Sequence, residues 1–195
     1  MKLKDATLRE FLQAILEMKL HLIMELPTGY NYHGSEDYVL DRGREFKSQP
    51  LTDLEHKQLF FAIDNYKKRF QIKQCFSNCQ LLLFYDISES LHYYEGYACG
   101  PAGMPVHHAW LSIGSGKVVD LTWRCEDFKR KGRLSNRIIG EIPEGWHYFG
   151  VEFPRRYVID HVLDTEMASS LLEDWPGGYP LFKHERIHPV EDLLE

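Results

Sequence analysis

Long apolar runs are missing from this sequence. The opening segment, MKLKDATLREFLQAILEMKLHLIMELP, is interrupted by Asp5, Arg9, Glu10, Glu17 and Lys19. It therefore offers neither the apolar core of a signal peptide nor the roughly 20 apolar residues of a membrane span. The expectation is a chain that stays in the cytoplasm and has no membrane partner. Basic residues are also in short supply, since 23 Lys and Arg stand against 29 Asp and Glu, a formal charge of −6. A nucleic-acid footprint needs clustered cations, and this balance argues against one. Cysteine is scarce too, with four in the chain, at 75, 79, 99 and 125. Without a secretion signal they are expected to remain thiols. The Cys75 to Cys79 spacing is one residue longer than C-x-x-C, and no second close pair completes a zinc site. The histidines at 21, 33, 56 and 92 and those of the C-terminus show no metal-ligand spacing and are assigned to the surface, so neither metal nor cofactor is expected. Repeats and low-complexity segments are absent as well. At 195 residues, 44% of them hydrophobic and 27% charged, the chain has the length and composition of one folded domain over 1–195.

What is present divides by period. Leu8, Leu12, Ile15, Leu16, Leu22 and Ile23 build one face of a helix over 5–25, which Pro27 ends. The segment 28–50 is punctuated by Gly, Asn, Ser, Asp and Pro and reads as a long covering loop with a short strand at Tyr38 to Leu40. Thr52 followed by Glu55 has the spacing of a capping box, and Leu59, Phe60, Ile63, Tyr66 and Phe70 continue a second helix. CFSNCQLLLFYDIS is apolar on most sides, as a buried central helix should be, with Cys75 at its first turn. The period then shortens. LHYYEGYACG, PVHHAWLSIG, KVVDLTW and WHYFGVEF are aromatic, β-branched and bounded by Gly and Pro, the signature of strands. Residues 124–146 read as a polar loop. Pro154 suits a first helical turn, and a short helix followed by a turn-rich end is expected from Met167. Helices over about 1–88, a sheet over about 91–153 and a helix with a tail over 154–195 give an α+β fold, with a central helix packed on an antiparallel sheet.

The hairpin PVHHAWLSIGSGKVVDLTW carries the chemistry. A turn centred on Ser115 makes paired residues sum to 230, which sets Trp110 opposite Asp120 and His108 diagonal to Asp120 on the same face. A slip of one residue would put them on opposite faces. Strand parity also separates the two histidines, sending His107 to the other side. A carboxylate beside an imidazole fixes the tautomer and stabilises the charged ring, as a base next to a nucleophile requires. Cys75 is the candidate nucleophile, because a helix N-terminus lowers a thiol pKa and presents N–H groups to an oxyanion. Cys79, one turn further in among leucines, reads as a small buried hydrophobe.

A cysteine opening a central helix, then GYA, then HHAW on one strand and VVDLTW on the next, resembles the transglutaminase-like group of papain-fold cysteine enzymes over roughly residues 72–123. The resemblance implies Cys75 as nucleophile, His108 of the His-Ala-Trp motif as base and Asp120 of the Asp-x-Thr motif as its orienter, with Leu121 where the family usually has proline. Gln74 and Asn78 are candidate donors to an oxyanion. Tyr97, Trp110 and Trp123 are candidate lining residues, the two tryptophans also serving to pack the hairpin. The activity this implies is that of a cysteine hydrolase or acyltransferase acting on a peptide, a protein or a small amide. The alternative is a papain-fold module without catalysis, holding a small ligand or a partner protein in its cleft under the 28–50 loop. Arg124, Lys129, Arg130, Lys131, Arg133 and Arg137 form a basic segment, either a solvated loop or a rim for acidic partners. Nothing in the sequence bears on oligomeric state.

Overall fold

A computed structural model of the chain describes residues 7–22, 25–126, 134 and 136–194. It is a mixed helical and antiparallel structure. The helices α1 (Leu8–Leu22), α2 (Ser35–Arg42), α3 (Asp53–Tyr66) and α4 (Cys75–Leu83) precede most of the strands, and α5 (Arg155–Thr165) and α6 (Val190–Leu194) follow them. Strands β1 (Arg44–Glu45), β2 (Leu91–Cys99), β3 (Val106–Ile113), β4 (Lys117–Arg124), β5 (Arg137–Gly140) and β6 (His147–Phe153) make one sheet in the order β1-β6-β2-β3-β4-β5. Every neighbouring pair is antiparallel. Among the described residues no helix is long and apolar enough to cross a membrane.

Period-2 alternation gives the sheet two different faces. One packs on the helices through Tyr93, Ala109, Leu111, Ile113, Val119, Phe149 and Val151, which share a core with Leu8, Leu12, Leu16, Leu59 and Leu82. The other carries a smaller aromatic cluster of Phe46, Tyr94, Trp110 and Tyr148 with Ala98, Val118 and Ile138. Gly150 is required there. A Cβ on it would lie 2.5 Å from the Trp110 ring and 2.5 Å from the Glu95 carbonyl oxygen, so any side chain would push the indole off the strand.

The helix expected at 52 is present but stops at Tyr66, before Phe70, where Lys67 turns left-handed at φ 57. Thr52 accepts from the Glu55 N–H and the Glu55 carboxylate accepts from the Thr52 N–H, a reciprocal cap. α1 is shorter than 5–25: Leu8, Leu12 and Leu16 are buried, Leu22 is exposed, and Ile23 lies outside the described residues.

Three local expectations are corrected. The strand at Tyr38 to Leu40 is the middle of α2, where Gly34 at φ 150 admits a sharp entry and Glu36 and Asp37 sit in the positively polarised first turn. The 124–146 loop contains β5, with Val118 paired to Gly140 and Asp120 to Ile138. Its four residues are all buried, so they show no alternation to read. The helix expected from Met167 is replaced by bends and turns, because the Leu171 and Leu172 N–H groups donate to the Glu95 carboxylate instead of to a helical ladder. Helical structure returns only in a 3₁₀ turn at Pro180–Lys183 and in α6.

Candidate active site

The β3–β4 hairpin has the register that sums to 230: Leu111 pairs with Val119, Ser112 with Val118 and Ile113 with Lys117. The diagonal this creates is occupied. His108 Nε2 meets Asp120 Oδ2 at 2.8 Å. Asp120 is fully buried, and each of its oxygens has two donors. Oδ1 accepts the Thr122 N–H at 2.8 Å and the Trp123 N–H at 2.9 Å. Oδ2 also accepts the Tyr148 hydroxyl at 2.9 Å. Burial alone would raise the carboxyl pKa; the His108 charge and these hydrogen bonds override it and bring the pKa below its usual value.

His108 is 2% exposed and stacks on Trp123 with ring centroids 4.5 Å apart. Trp110 and Tyr148 close the box at 6.4 and 6.5 Å. Burial in this box works against the imidazolium, yet the Asp120 charge and hydrogen bond, joined by Cys75, raise the His108 pKa to about 9. Asp120 holds Nε2, so the ring's Nδ1 is left for sulfur.

Sulfur is there. Cys75 opens α4 after Lys73 in the left-handed region at φ 62, a turn that brings the helix N-terminus against β3. Burial opposes the thiolate, but hydrogen bonding and charge from His108, together with the Ala109 and Phe76 N–H groups, lower the thiol pKa below its ordinary value. At 8% exposed, Cys75 keeps a path to solvent. As the first residue of the helix it also has an amide N–H with no carbonyl one turn back to accept it. The other thiols differ: burial pushes Cys79 well above its ordinary pKa and raises Cys99.

Of the auxiliary candidates, Trp123 and Trp110 lie against His108, and the others do not. Asn78 bridges, with Nδ2 donating to the Gln71 carbonyl at 2.7 Å and to Thr122 Oγ1 at 2.9 Å, while Oδ1 accepts the Gln71 N–H at 3.0 Å. No hydrogen is left for an oxyanion. Tyr97 faces the helices, its hydroxyl 2.9 Å from Ser35 Oγ and its ring beside His107. Gln74 is exposed next to Cys75 and lines a side groove with Arg69, Gln71 and Ser77. Of the basic segment, two residues are described. Arg137 is buried and donates to the Thr122 and Phe70 carbonyls, Arg124 is exposed, and Lys129, Arg130, Lys131 and Arg133 lie outside the described residues.

Tyr148 and Trp146 are not singled out by the sequence. WHYFGVEF identifies a strand but not its neighbours; the order β6-β2-β3-β4 and the small Ala98 beside Tyr148 are what let that hydroxyl reach Asp120. Trp146 packs edge-on against Trp123 at 5.2 Å. Among the described residues no three His, Cys, Asp or Glu side chains are grouped to hold a metal ion. Comparison with protein-family models, with curated proteins and with solved structures finds no match to this chain.

Proposed function

We propose that the chain is a cysteine-dependent hydrolase or acyltransferase of the transglutaminase-like, papain-fold type, acting on a peptide or carboxamide bond. The observation that carries this reading is the ordered contact of Cys75, His108 and Asp120: a thiol with its pKa lowered, an imidazole with its pKa raised, and a carboxylate with four donors that cannot turn away. In such a pair the proton sits on His108 and the charge on sulfur. The thiolate adds to the carbonyl carbon, and the new oxyanion accepts the free amide N–H of Cys75. His108 gives its proton to the leaving nitrogen as the C–N bond breaks, which leaves a thioester on Cys75. His108 then takes a proton from water, and hydroxide attack releases the acid and the thiol; an amine in place of water would give the transferred amide. Asp120 stays ionised throughout, and Trp123, stacked on the ring, keeps it from rotating out of line.

Competitive labelling with iodoacetamide near neutral pH tests the proposal. Cys75 should be carboxamidomethylated well ahead of Cys79, Cys99 and Cys125, and the lead should vanish in His108→Ala. Equal labelling of the four thiols, or a lead that survives that substitution, would overturn it.

A further inference from the structure

Behind β3, on the face away from His108, lies a cavity of about 560 Å³, within the range of small-molecule sites. Tyr30, Tyr32, Tyr179 and Phe182 form its apolar wall, and Ser35 and Glu173 supply its polar end. Side-chain contacts lead from it to Phe76, the neighbour of Cys75 in α4. Glu173 Oε1 accepts from Ser35 Oγ at 3.1 Å, and Glu173 Oε2 lies 3.6 Å from His107 Nδ1. The His107 ring packs edge-on against Phe76 at 5.4 Å, and Phe76 follows Cys75 in the helix.

Two carboxylates meet at this end. His107 Nε2 is also 3.6 Å from Glu95 Oε2. Glu95 is fully buried and is held by the Ser170 hydroxyl, the Tyr93 hydroxyl and two backbone N–H groups. One imidazole thus lies between two carboxylates. Lys19, which also lines the cavity, pairs with Glu36 at 2.5 Å and acts on Glu173 as well, and Arg186 pairs with Asp37 at 2.7 Å. Glu95 is sealed, but the Glu173 side chain is 52% exposed, so it is the carboxylate that the cavity offers. The ring faces here suit a cation as well. The chain's own Lys183 ammonium lies 5.1 Å from the Tyr30 ring centroid, and the Arg186 guanidinium 4.8 Å from that of Tyr32.

We propose that this cavity binds a basic group of the substrate, an ammonium or guanidinium on an apolar stem, with Glu173 as its counter-ion and the aromatic wall around its stem, while the neighbouring carbonyl is presented to Cys75. The inference rests on the acylation assigned to Cys75 and adds a substrate class to it: peptides or amides with a basic side chain flanking the reacting bond.

Two chloromethyl ketones test it, one built on Nα-acetyl-lysine and the other on Nα-acetyl-norleucine, which keeps the stem and lacks the charge. Each alkylates a thiolate with loss of chloride. The ratio of their rates at Cys75, followed by intact mass, is the readout. The lysine probe should react at least about tenfold faster, and Glu173→Gln should bring the ratio near one whatever it does to either rate alone. Equal rates on the wild-type chain, or a lysine preference unchanged by Glu173→Gln, would overturn the inference. Iodoacetamide on the same protein separates the two readings. If it labels Cys75 preferentially while the ketones are not discriminated, only the cavity assignment fails; if Cys75 shows no preference with iodoacetamide, the nucleophile itself fails.

Discussion

Two neighbouring histidines on one strand, pointing to opposite faces, have been given opposite tasks. His108 has one carboxylate partner, Asp120, whose other lone pairs are already taken, and its free nitrogen meets a thiol. His107 has two carboxylate partners at 3.6 Å and meets only rings, Phe76 and Tyr97. Both have raised pKa values, to about 9 and about 10, against the desolvation that burial imposes. A perturbed titration on its own therefore does not mark a catalytic group. What separates the two is whether a thiol lies at the ring's second nitrogen.

Substitutions that hit one side should leave the signature of the other. The largest effect is expected at His108→Ala, where the rate of Cys75 alkylation near neutral pH should fall about 100-fold or more, the scale of losing a positioned base. His107→Ala should act on stability instead. It leaves the buried Glu95 carboxylate without its cation, a loss of about 3 kcal/mol by urea denaturation, while the folded fraction keeps its preference for labelling at Cys75.

The pH dependence of stability sharpens the contrast further. A histidine whose folded pKa lies above its unfolded value of 6.5 binds more protons when folded, so its contribution is complete below about 6.5 and is lost as pH rises through the folded value. Wild-type stability should fall between pH 6.5 and 10, and His107→Gln should flatten the upper part of that decline, towards about 10. An unchanged slope in the variant would separate His107 from the effect.

Two smaller effects probe the frame around the base. Gly150→Ala drives a methyl group into Trp110 and should cost about 1–3 kcal/mol on thermal or urea unfolding. Tyr148→Phe removes one of four donors to Asp120 and should cost about 1 kcal/mol. It should also lower the His108-dependent labelling rate by less than His108→Ala does, since Asp120 keeps its two backbone donors. If Tyr148→Phe matched His108→Ala, the hydroxyl, and not the two backbone N–H groups, would be what holds Asp120 in place.

How much of the fold and site is legible in the sequence depends on how local each determinant is. The diagonal of His108 and Asp120 can be read because a glycine-centred turn fixes register and pleat parity fixes faces, both within 19 residues of text. The cap at Thr52 and the start of a helix at Cys75 are equally local. α2 reads as a strand because Tyr38, Val39 and Leu40 are buried on consecutive positions, a run that suits a strand or a buried helix alike. β5 escapes the sequence because four residues buried on both faces show no period. Asn78 suits an oxyanion by position alone, and only the fold shows its hydrogens spent on Gln71 and Thr122. Tyr148, Glu95 and Glu173 depend on strand order and on where the tail crosses the sheet, which no window of the sequence contains.

The central claim is that Cys75 and His108 form a thiolate–imidazolium pair. Ultraviolet thiolate absorbance, followed across pH and taken as the difference between wild type and Cys75→Ser, measures it most directly. The Cys75 thiolate should appear below the ordinary cysteine pKa of 9.0, and its titration should move upward in His108→Ala. A Cys75 that ionises only above that value, at the same pH with or without His108, would contradict it.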